Sequence, residues 1–179
     1  MPDDTRARWR EALRHEIPEA ARRLAARQGG APLRTFALVT DEDLRTLYAA
    51  GCTAERLASL DRESAKYPAE WPEDGVSMRG SSLLQEGLAD GYATRSDSDW
   101  KRSLIDELAA TLDQLRKERV FDDDTLLLVW SHDPEPREFA WLFDASKRIN
   151  PRSQFRWWAR AMRVGRWLAR LATLLDPSR

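Results

Sequence analysis

The stretch from Thr125 to Pro151, TLLLVWSHDPEPREFAWLFDASKRINP, contains the features that decide the fold. Its apolar run, Leu126 to Trp130, is short and lies between an aspartate triplet and Ser-His-Asp-Pro, a pattern typical of a central buried strand. From Pro136 onward apolar residues recur at helical spacing, and Asn150-Pro151 is a stop signal for a helix. The stretch therefore predicts a strand, a turn and a helix as one unit.

The segments before this unit predict a mixed architecture. Apolar periodicity and turn residues predict a helix over Thr5 to Gln28, a strand over Leu33 to Thr40, a helix from Thr53 to about Ala65, an irregular connector over residues 67–98 with a short helix at Ser82 to Leu88, and a long helix over Asp99 to Arg119. We expect Cys52, in an Ala-Gly-Cys-Thr turn, to be a small filler residue.

The segment from Asp41 to Cys52 fits two structures. Leu44, Leu47 and Tyr48 share a helical face, and acidic residues at the start favour a helix dipole. The same residues could form a hairpin, with Asp41 to Asp43 as the turn and Leu44 to Ala49 as the returning strand. Periodicity alone leaves both structures open.

Length and composition indicate a cytoplasmic globular protein. A chain of 179 residues fits one domain, or one domain with an appendage, and buries roughly 70% of its unfolded surface. The charged N-terminus has no apolar signal region, and no run approaches the ~20 residues that a membrane span needs. The single cysteine fits a reducing compartment, so we expect a cytoplasmic location.

Charge is divided unequally along the chain. The net charge is −1, but residues 147–179 carry nine basic residues and one acid, a net charge of +8, so residues 1–146 carry −9. We therefore expect an acidic body of residues 1–151 and a basic appendage of residues 152–179.

The best candidate for catalysis follows the organising strand. His132, Asp133 and Glu135 offer an imidazole and two carboxylates at a strand end, where a general acid and base could be assembled. Ordinary turn and N-cap chemistry explains the same residues. No phosphate-binding glycine loop, nucleophile elbow or paired metal-ligand spacing is present, so we expect no cofactor, no metal and no catalytic residues.

Several segments together resemble a bacterial family. FALVTDEDLRTLYAAGCTAERL (residues 36–57), YPAEW (67–71), the long helix, VFDDDTLLLVWSHDPE (120–135) and ASKRINP (145–151) are similar to the domain of unknown function 4303, over residues 5–151. The resemblance implies the hairpin reading of residues 40–53. It also implies a role in toxin and immunity systems, like that of SUKH immunity proteins, and no defined catalytic residues.

We therefore expect an α+β fold with a small, mostly antiparallel sheet packed by helices and followed by a C-terminal amphipathic helix. The expected function is a non-enzymatic immunity protein that binds a cognate toxin, possibly a basic nuclease, without direct nucleic-acid binding. If their strands share a sheet, the two acidic clusters could converge on one edge and attract such a partner. The candidate partner-binding residues are Asp41, Glu42, Asp43, Asp122, Asp123, Asp124, Glu135 and Trp141. The alternatives are a hydrolase or transferase that uses His132 and Glu135, and a protein that binds membrane surfaces.

The basic appendage predicts one amphipathic helix from about Ser153 to Leu175. Its apolar face spans roughly 200° at ~100° per residue, and its basic face includes Arg156, Arg160, Arg163, Trp167 and Arg170. Such a helix could dock on the acidic body, pair with a partner or a second copy, or lie on an anionic membrane. Docking is favoured because it covers the apolar face and brings opposite charges together.

Overall fold

The computed structural model describes residues 3–41, 46–61, 64–71, 75–78, 98–160 and 162. Its helices are α1 (Asp3–Arg27), α2 (Ala54–Ser59), α3 (Ser98–Lys117) and α4 (Pro136–Arg148), with short 3-10 helices at Ser64–Lys66 and Pro68–Glu70. Its strands are β1 (Leu33–Thr40), β2 (Leu47–Thr53), β3 (Val76–Ser77) and β4 (Leu126–Ser131). Residues 152–160 and 162 are also helical, and we call them the C-terminal segment.

The four strands form one mixed sheet in the order β3-β2-β1-β4. The β1–β2 and β2–β3 pairs are antiparallel, whereas β1 and β4 run parallel. The predicted α+β class and the mostly antiparallel sheet are therefore confirmed. The prediction that Leu126 to Trp130 form a central strand is wrong, because β4 lies at the edge of the described sheet.

The edge strand β4 nevertheless has all six residues buried, because α4 covers its free edge. At the end of α4, Asn150 Oδ1 accepts from the Leu127 N–H at 2.8 Å, and Asn150 Nδ2 donates to the Leu127 carbonyl. One helical turn earlier, Ser146 Oγ accepts from the Val129 N–H at 3.1 Å and donates to the Val129 carbonyl at 3.4 Å. Two side chains thus supply the hydrogen bonds that a neighbouring strand would supply.

Arg116, near the end of α3, holds Asn150 in place. Its guanidinium donates to Asn150 Oδ1 at 3.0 Å and to the Thr125 carbonyl at 2.6 Å. Burial lowers the pKa of Arg116, while Asp123 and Asp113 act in the opposite direction. The guanidinium remains charged, since the ordinary arginine pKa is so high.

Each face of the sheet carries its own apolar core. On the first face, α1, α3 and α4 pack their buried side chains against β1, β2 and β4, with Trp9, Leu13, Ile17, Leu108 and Leu112 among the best buried. The long N-terminal helix and α3 therefore have the buried stripes that their sequence periodicity predicts.

The second face is covered by the C-terminal segment and the residues after α2. Phe155, Trp158, Ala159 and Met162 are buried there against β1 and β4. The indole of Trp158 packs edge-on against Trp130, with ring centroids 5.8 Å apart, and donates from Nε1 to the Lys66 carbonyl at 2.9 Å. These residues make the contact expected for docking on the protein's own domain, and residues after 162 lie outside the described part.

The hairpin implied by the family resemblance is present, but its second strand is Leu47–Thr53 rather than Leu44 to Ala49. Gly51 and Cys52 therefore lie in the strand and not in a turn. A Cβ on Gly51 would lie 2.8 Å from the Thr35 carbonyl oxygen, so glycine permits a close approach of β1. Cys52 is fully buried, and burial raises the pKa of its thiol to about 11.

Two further boundaries differ from the predictions. The helix expected from Thr53 to Ala65 is only Ala54–Ser59; Thr53 caps it, with Oγ1 accepting from the Arg56 N–H at 3.3 Å. The connector contains the short strand β3, which periodicity could not indicate in two residues. The helix expected over residues 82–88 lies outside the described residues.

The closure of the β4 edge makes Asn150 a sensitive position. Asn150→Ala would leave the buried N–H and carbonyl of Leu127 without these partners, so we expect the free energy of unfolding to fall by about 3 kcal/mol. Urea denaturation measures this change. Ser153→Ala, on an exposed position of the C-terminal segment, is the control and should change stability by less than about 0.5 kcal/mol. A similar small effect at Asn150 would contradict the role of its side chain.

Two adjacent tryptophans test the packing of the C-terminal segment. The exposed fraction is 0% for Trp158 and 38% for Trp157. We expect Trp158→Ala to lower the free energy of unfolding by about 3–5 kcal/mol, and Trp157→Ala by less than about 1 kcal/mol. Equal losses in urea denaturation would show that the segment is not held on the sheet by Trp158.

Candidate functional site

The parallel pairing of β1 with β4 brings acidic residues together at one end of the sheet. The two strands end side by side, with Thr40 opposite Ser131, and the His132 N–H continues the pairing by donating to the Thr40 carbonyl at 3.0 Å. Asp41 follows one strand directly, and Asp133 follows His132. We call this end of the sheet the acidic end; its described members are Asp41, Tyr48, Glu70, His132, Asp133 and Glu135.

At the centre of the acidic end, Tyr48 reaches from β2 across β1 to His132. The Tyr48 hydroxyl lies 2.8 Å from His132 Nε2, and the two ring centroids are 5.7 Å apart. Burial raises the pKa of Tyr48 to about 12, and the negative charge of Glu70 acts in the same direction. The hydroxyl therefore keeps its proton at neutral pH, and the tautomer of His132 sets the direction of the hydrogen bond between them.

The Tyr48 ring is held in place by close packing. Tyr48 is half-buried, and a Cβ on Gly75 would lie 2.6 Å from its Cδ2 atom. Any larger residue at position 75 would therefore displace the ring. The close packing against Gly75 and the hydrogen bond to His132 together fix the orientation of the Tyr48 ring, which is still accessible from solvent.

Glu135 has a structural task at this end. It is the N-cap residue of α4, and its main-chain N–H donates to Glu138 Oε2 at 3.2 Å. Glu138 is buried and also accepts from Lys101 Nζ on α3. The N-terminus of α4 is thus already provided with carboxylates, as the turn and N-cap interpretation of this motif expects.

The aspartate triplet does not belong to the acidic end. Asp122, Asp123 and Asp124 precede β4, and in a parallel pair both strands start at the same end of the sheet, so the triplet lies beside the start of β1, whereas Asp41 follows the end of β1. At ~3.3 Å per residue the triplet lies roughly 25 Å from Asp41. The expectation that the two acidic clusters converge is therefore wrong for the described residues; Glu42 and Asp43 lie outside them.

The main chain of the triplet is tied to its surroundings while its side chains are exposed. The Asp122 carbonyl accepts from the Thr125 N–H at 3.0 Å, and the Asp123 carbonyl accepts from Arg116 and from Gln154 of the C-terminal segment. Only Asp124 forms an ion pair with a described residue, Arg34.

The other candidate residues are distributed over the surface. Trp141 is half-buried, has the Arg137 guanidinium 5.1 Å from its ring centroid, and lines a groove of about 330 Å³ between α3 and α4. Arg156 and Arg160 are exposed on the C-terminal segment, whereas Arg163, Trp167 and Arg170 lie outside the described residues.

Two kinds of feature are not found in the described part of the chain. No group of three or more histidine, cysteine, aspartate or glutamate side chains there is arranged to hold a metal ion. None of the helices that the structure describes is long and apolar enough to cross a bilayer.

Comparisons with protein-family models, with curated proteins and with solved structures find no match to this chain. The resemblance to the domain of unknown function 4303 therefore stays a prediction.

Sequence reasoning found His132 but missed Tyr48 and Glu70 as members of this site. Tyr48 and His132 are 84 residues apart, and only the strand order β2-β1-β4 brings them together. The helical face that Leu44, Leu47 and Tyr48 could share is not formed, because Tyr48 lies in the strand β2. No local pattern could have indicated the pair.

The Tyr48 environment can be tested by alkaline titration. We expect Tyr48→Phe to remove a phenolate absorbance change with a pKa of about 12, and Glu70→Gln to lower that pKa. Because the folded-state pKa lies above the ordinary value of 10.0, the neutral phenol stabilises the fold fully below pH 10, and this contribution is lost as the pH rises towards 12. A Tyr48 pKa near 10 would contradict the partial desolvation of its hydroxyl.

Proposed function

We propose that this chain is a non-enzymatic binding protein of the immunity type, which neutralises a toxin by docking its acidic end on a basic surface of that toxin. The observation that carries the proposal is the convergence of carboxylates around the fixed Tyr48–His132 pair. The family resemblance and the net charge of −9 on residues 1–146 support the same role.

The chemistry of the acidic end suits a protein partner. Tyrosine is enriched among the residues that dominate binding energy, because its ring buries much area with little loss of conformational entropy. Glu70 acts on the Tyr48 hydroxyl with its negative charge, and Asp41 and Asp133 follow the neighbouring ends of β1 and β4. Such an arrangement raises the association rate of a basic partner and sets the partner's orientation.

A basic partner is expected if the toxin is a nuclease, because a cleft that binds phosphates carries lysine and arginine. An acidic surface inserted into that cleft would occupy the substrate's place. Inhibition then needs only binding, and no residue of this chain has to react.

One observation favours the second candidate function, catalysis by His132. A tyrosine hydroxyl hydrogen-bonded to an imidazole could act in proton transfer. Against this use, Glu135 is committed to capping α4. We therefore place catalysis second and distinguish it by experiment.

Co-expression with the product of the adjacent gene tests the proposal. The double variant Asp41→Asn/Asp133→Asn should lose protection and weaken binding by about tenfold or more, since two charges near a basic partner are removed. The matched control is Asp122→Asn/Asp123→Asn, which removes the same charge at the opposite end and should keep protection.

Three results would contradict the proposal. The adjacent product could be harmless and unbound in a pull-down. The control variant could lose protection while the acidic-end variant keeps it, which would move the interface to the triplet. Finally, a His132→Ala protein that binds the toxin with unchanged affinity but no longer protects would support catalysis instead.

A further inference from the structure

The C-terminal segment leaves an outward face that combines an aromatic side chain with a row of arginines. Trp157 is the large hydrophobic side chain that remains exposed in the described part of the chain, at 38%. Arg152, Arg156 and Arg160 follow one another at intervals of four residues and are all exposed. No ion pair links these three arginines to another described residue.

The aspartate triplet borders the same face. Gln154 donates to the Asp123 carbonyl, and Arg116 donates to both Gln154 Oε1 and the Asp123 carbonyl at 3.4 Å. On a helix, Trp157 lies next to Gln154 at the i+3 position, and Arg160 lies next to Trp157 at the same interval. Asp122 and Asp123 therefore lie beyond the Gln154 side of Trp157, and the row of arginines lies on its other side.

We propose that this face is a self-association surface, on which two copies of the chain meet about a two-fold axis near Trp157. In a two-fold interface the same patch is used by both copies and must be complementary to itself. With the axis at Trp157, the arginine row of each copy lies opposite Asp122 and Asp123 of the other. The two indoles fill the centre, which is where binding energy concentrates in protein interfaces.

Charge complementarity favours a second copy over an anionic membrane. A uniformly negative surface would attract the arginine row but repel the exposed carboxylates of Asp122 and Asp123, whereas a second copy provides a partner for both signs. The apolar side of the segment is in any case occupied, because Phe155 and Trp158 are buried on the sheet. This surface is separate from the acidic end, so dimerisation is independent of toxin binding.

Sedimentation equilibrium of the full chain, without any partner, tests the inference. We expect a dimer at low ionic strength that dissociates as salt is added, because its flanking contacts are ionic. Arg156→Glu/Arg160→Glu leaves Arg152 as the single arginine of the row and makes the patch mainly acidic. Asp122→Lys/Asp123→Lys makes the patch mainly basic, so each variant alone should be monomeric. An equimolar mixture of the two should form heterodimers.

Trp157→Ala keeps every charge and should weaken the dimer by at least tenfold, while Arg102→Glu, an exposed charge reversal on α3, should leave the dimer unchanged. Circular dichroism identifies any variant that fails to fold, and the variants that do fold then decide whether this surface forms the dimer. A wild-type monomer at all salt concentrations would overturn the inference, as would charge-reversed variants that still dimerise alone. Co-sedimentation of a monomeric wild type with phosphatidylserine vesicles, abolished by the Arg156/Arg160 reversal, would replace it with a membrane surface.

Discussion

The hydrogen bonds between α4 and the free edge of β4 are the constraint on which the rest of the structure depends. A buried strand at the edge of a sheet must satisfy a row of main-chain groups that water cannot reach. Here the side chains of Ser146 and Asn150 form hydrogen bonds with the main-chain groups of two residues of that edge, and Arg116 holds the Asn150 side chain in place. Because α4 occupies this position, its remaining faces can extend both apolar cores at once, with Leu142 on one side and Phe143 on the other.

Strand direction decides which charges act together. Had β4 run antiparallel to β1, the aspartate triplet would lie beside Asp41, and the two clusters would form one continuous acidic surface. Parallel pairing separates them by the length of the sheet and places Asp133 beside Asp41 instead. The molecule consequently has two distinct charged regions at opposite ends, each next to a different aromatic side chain, Tyr48 or Trp157.

Local patterns predicted the elements whose signals are local. The buried stripe of α3, the proline at the start of α4 and the short apolar run of β4 each have a period or a boundary that one window of sequence contains. Local signals misplaced Gly51, because the expected Ala-Gly-Cys-Thr turn is part of β2, where the glycine is needed for close contact with β1. Strand order and direction depend on contacts between residues about 90 positions apart, and no periodicity encodes them.

The candidate site was predictable only in part for the same reason. His132 and its acidic neighbours are recognisable as a polar turn after a buried strand, and their capping role follows from the residue types. Tyr48, the partner of His132, is not recognisable in this way. Periodicity left its segment open between helix and strand, and its place beside His132 depends on the β1–β2 register. The C-terminal segment shows the complementary case. Its amphipathic pattern indicated that its apolar face must be covered, and the burial of Trp158 and Phe155 shows that the sheet covers it.

The parallel β1–β4 pair has a consequence for the order of folding. The β1–β2 hairpin joins residues close in the chain and can form early, but pairing with β4 closes a loop of about 90 residues, which is entropically costly. During synthesis the hairpin therefore leaves the ribosome before β4 can pair with β1, and before α4 and the C-terminal segment can cover the sheet. Until residue 162 has emerged, the apolar second face of the sheet remains open to water and to other chains, so this protein should depend on chaperones more than its small size suggests.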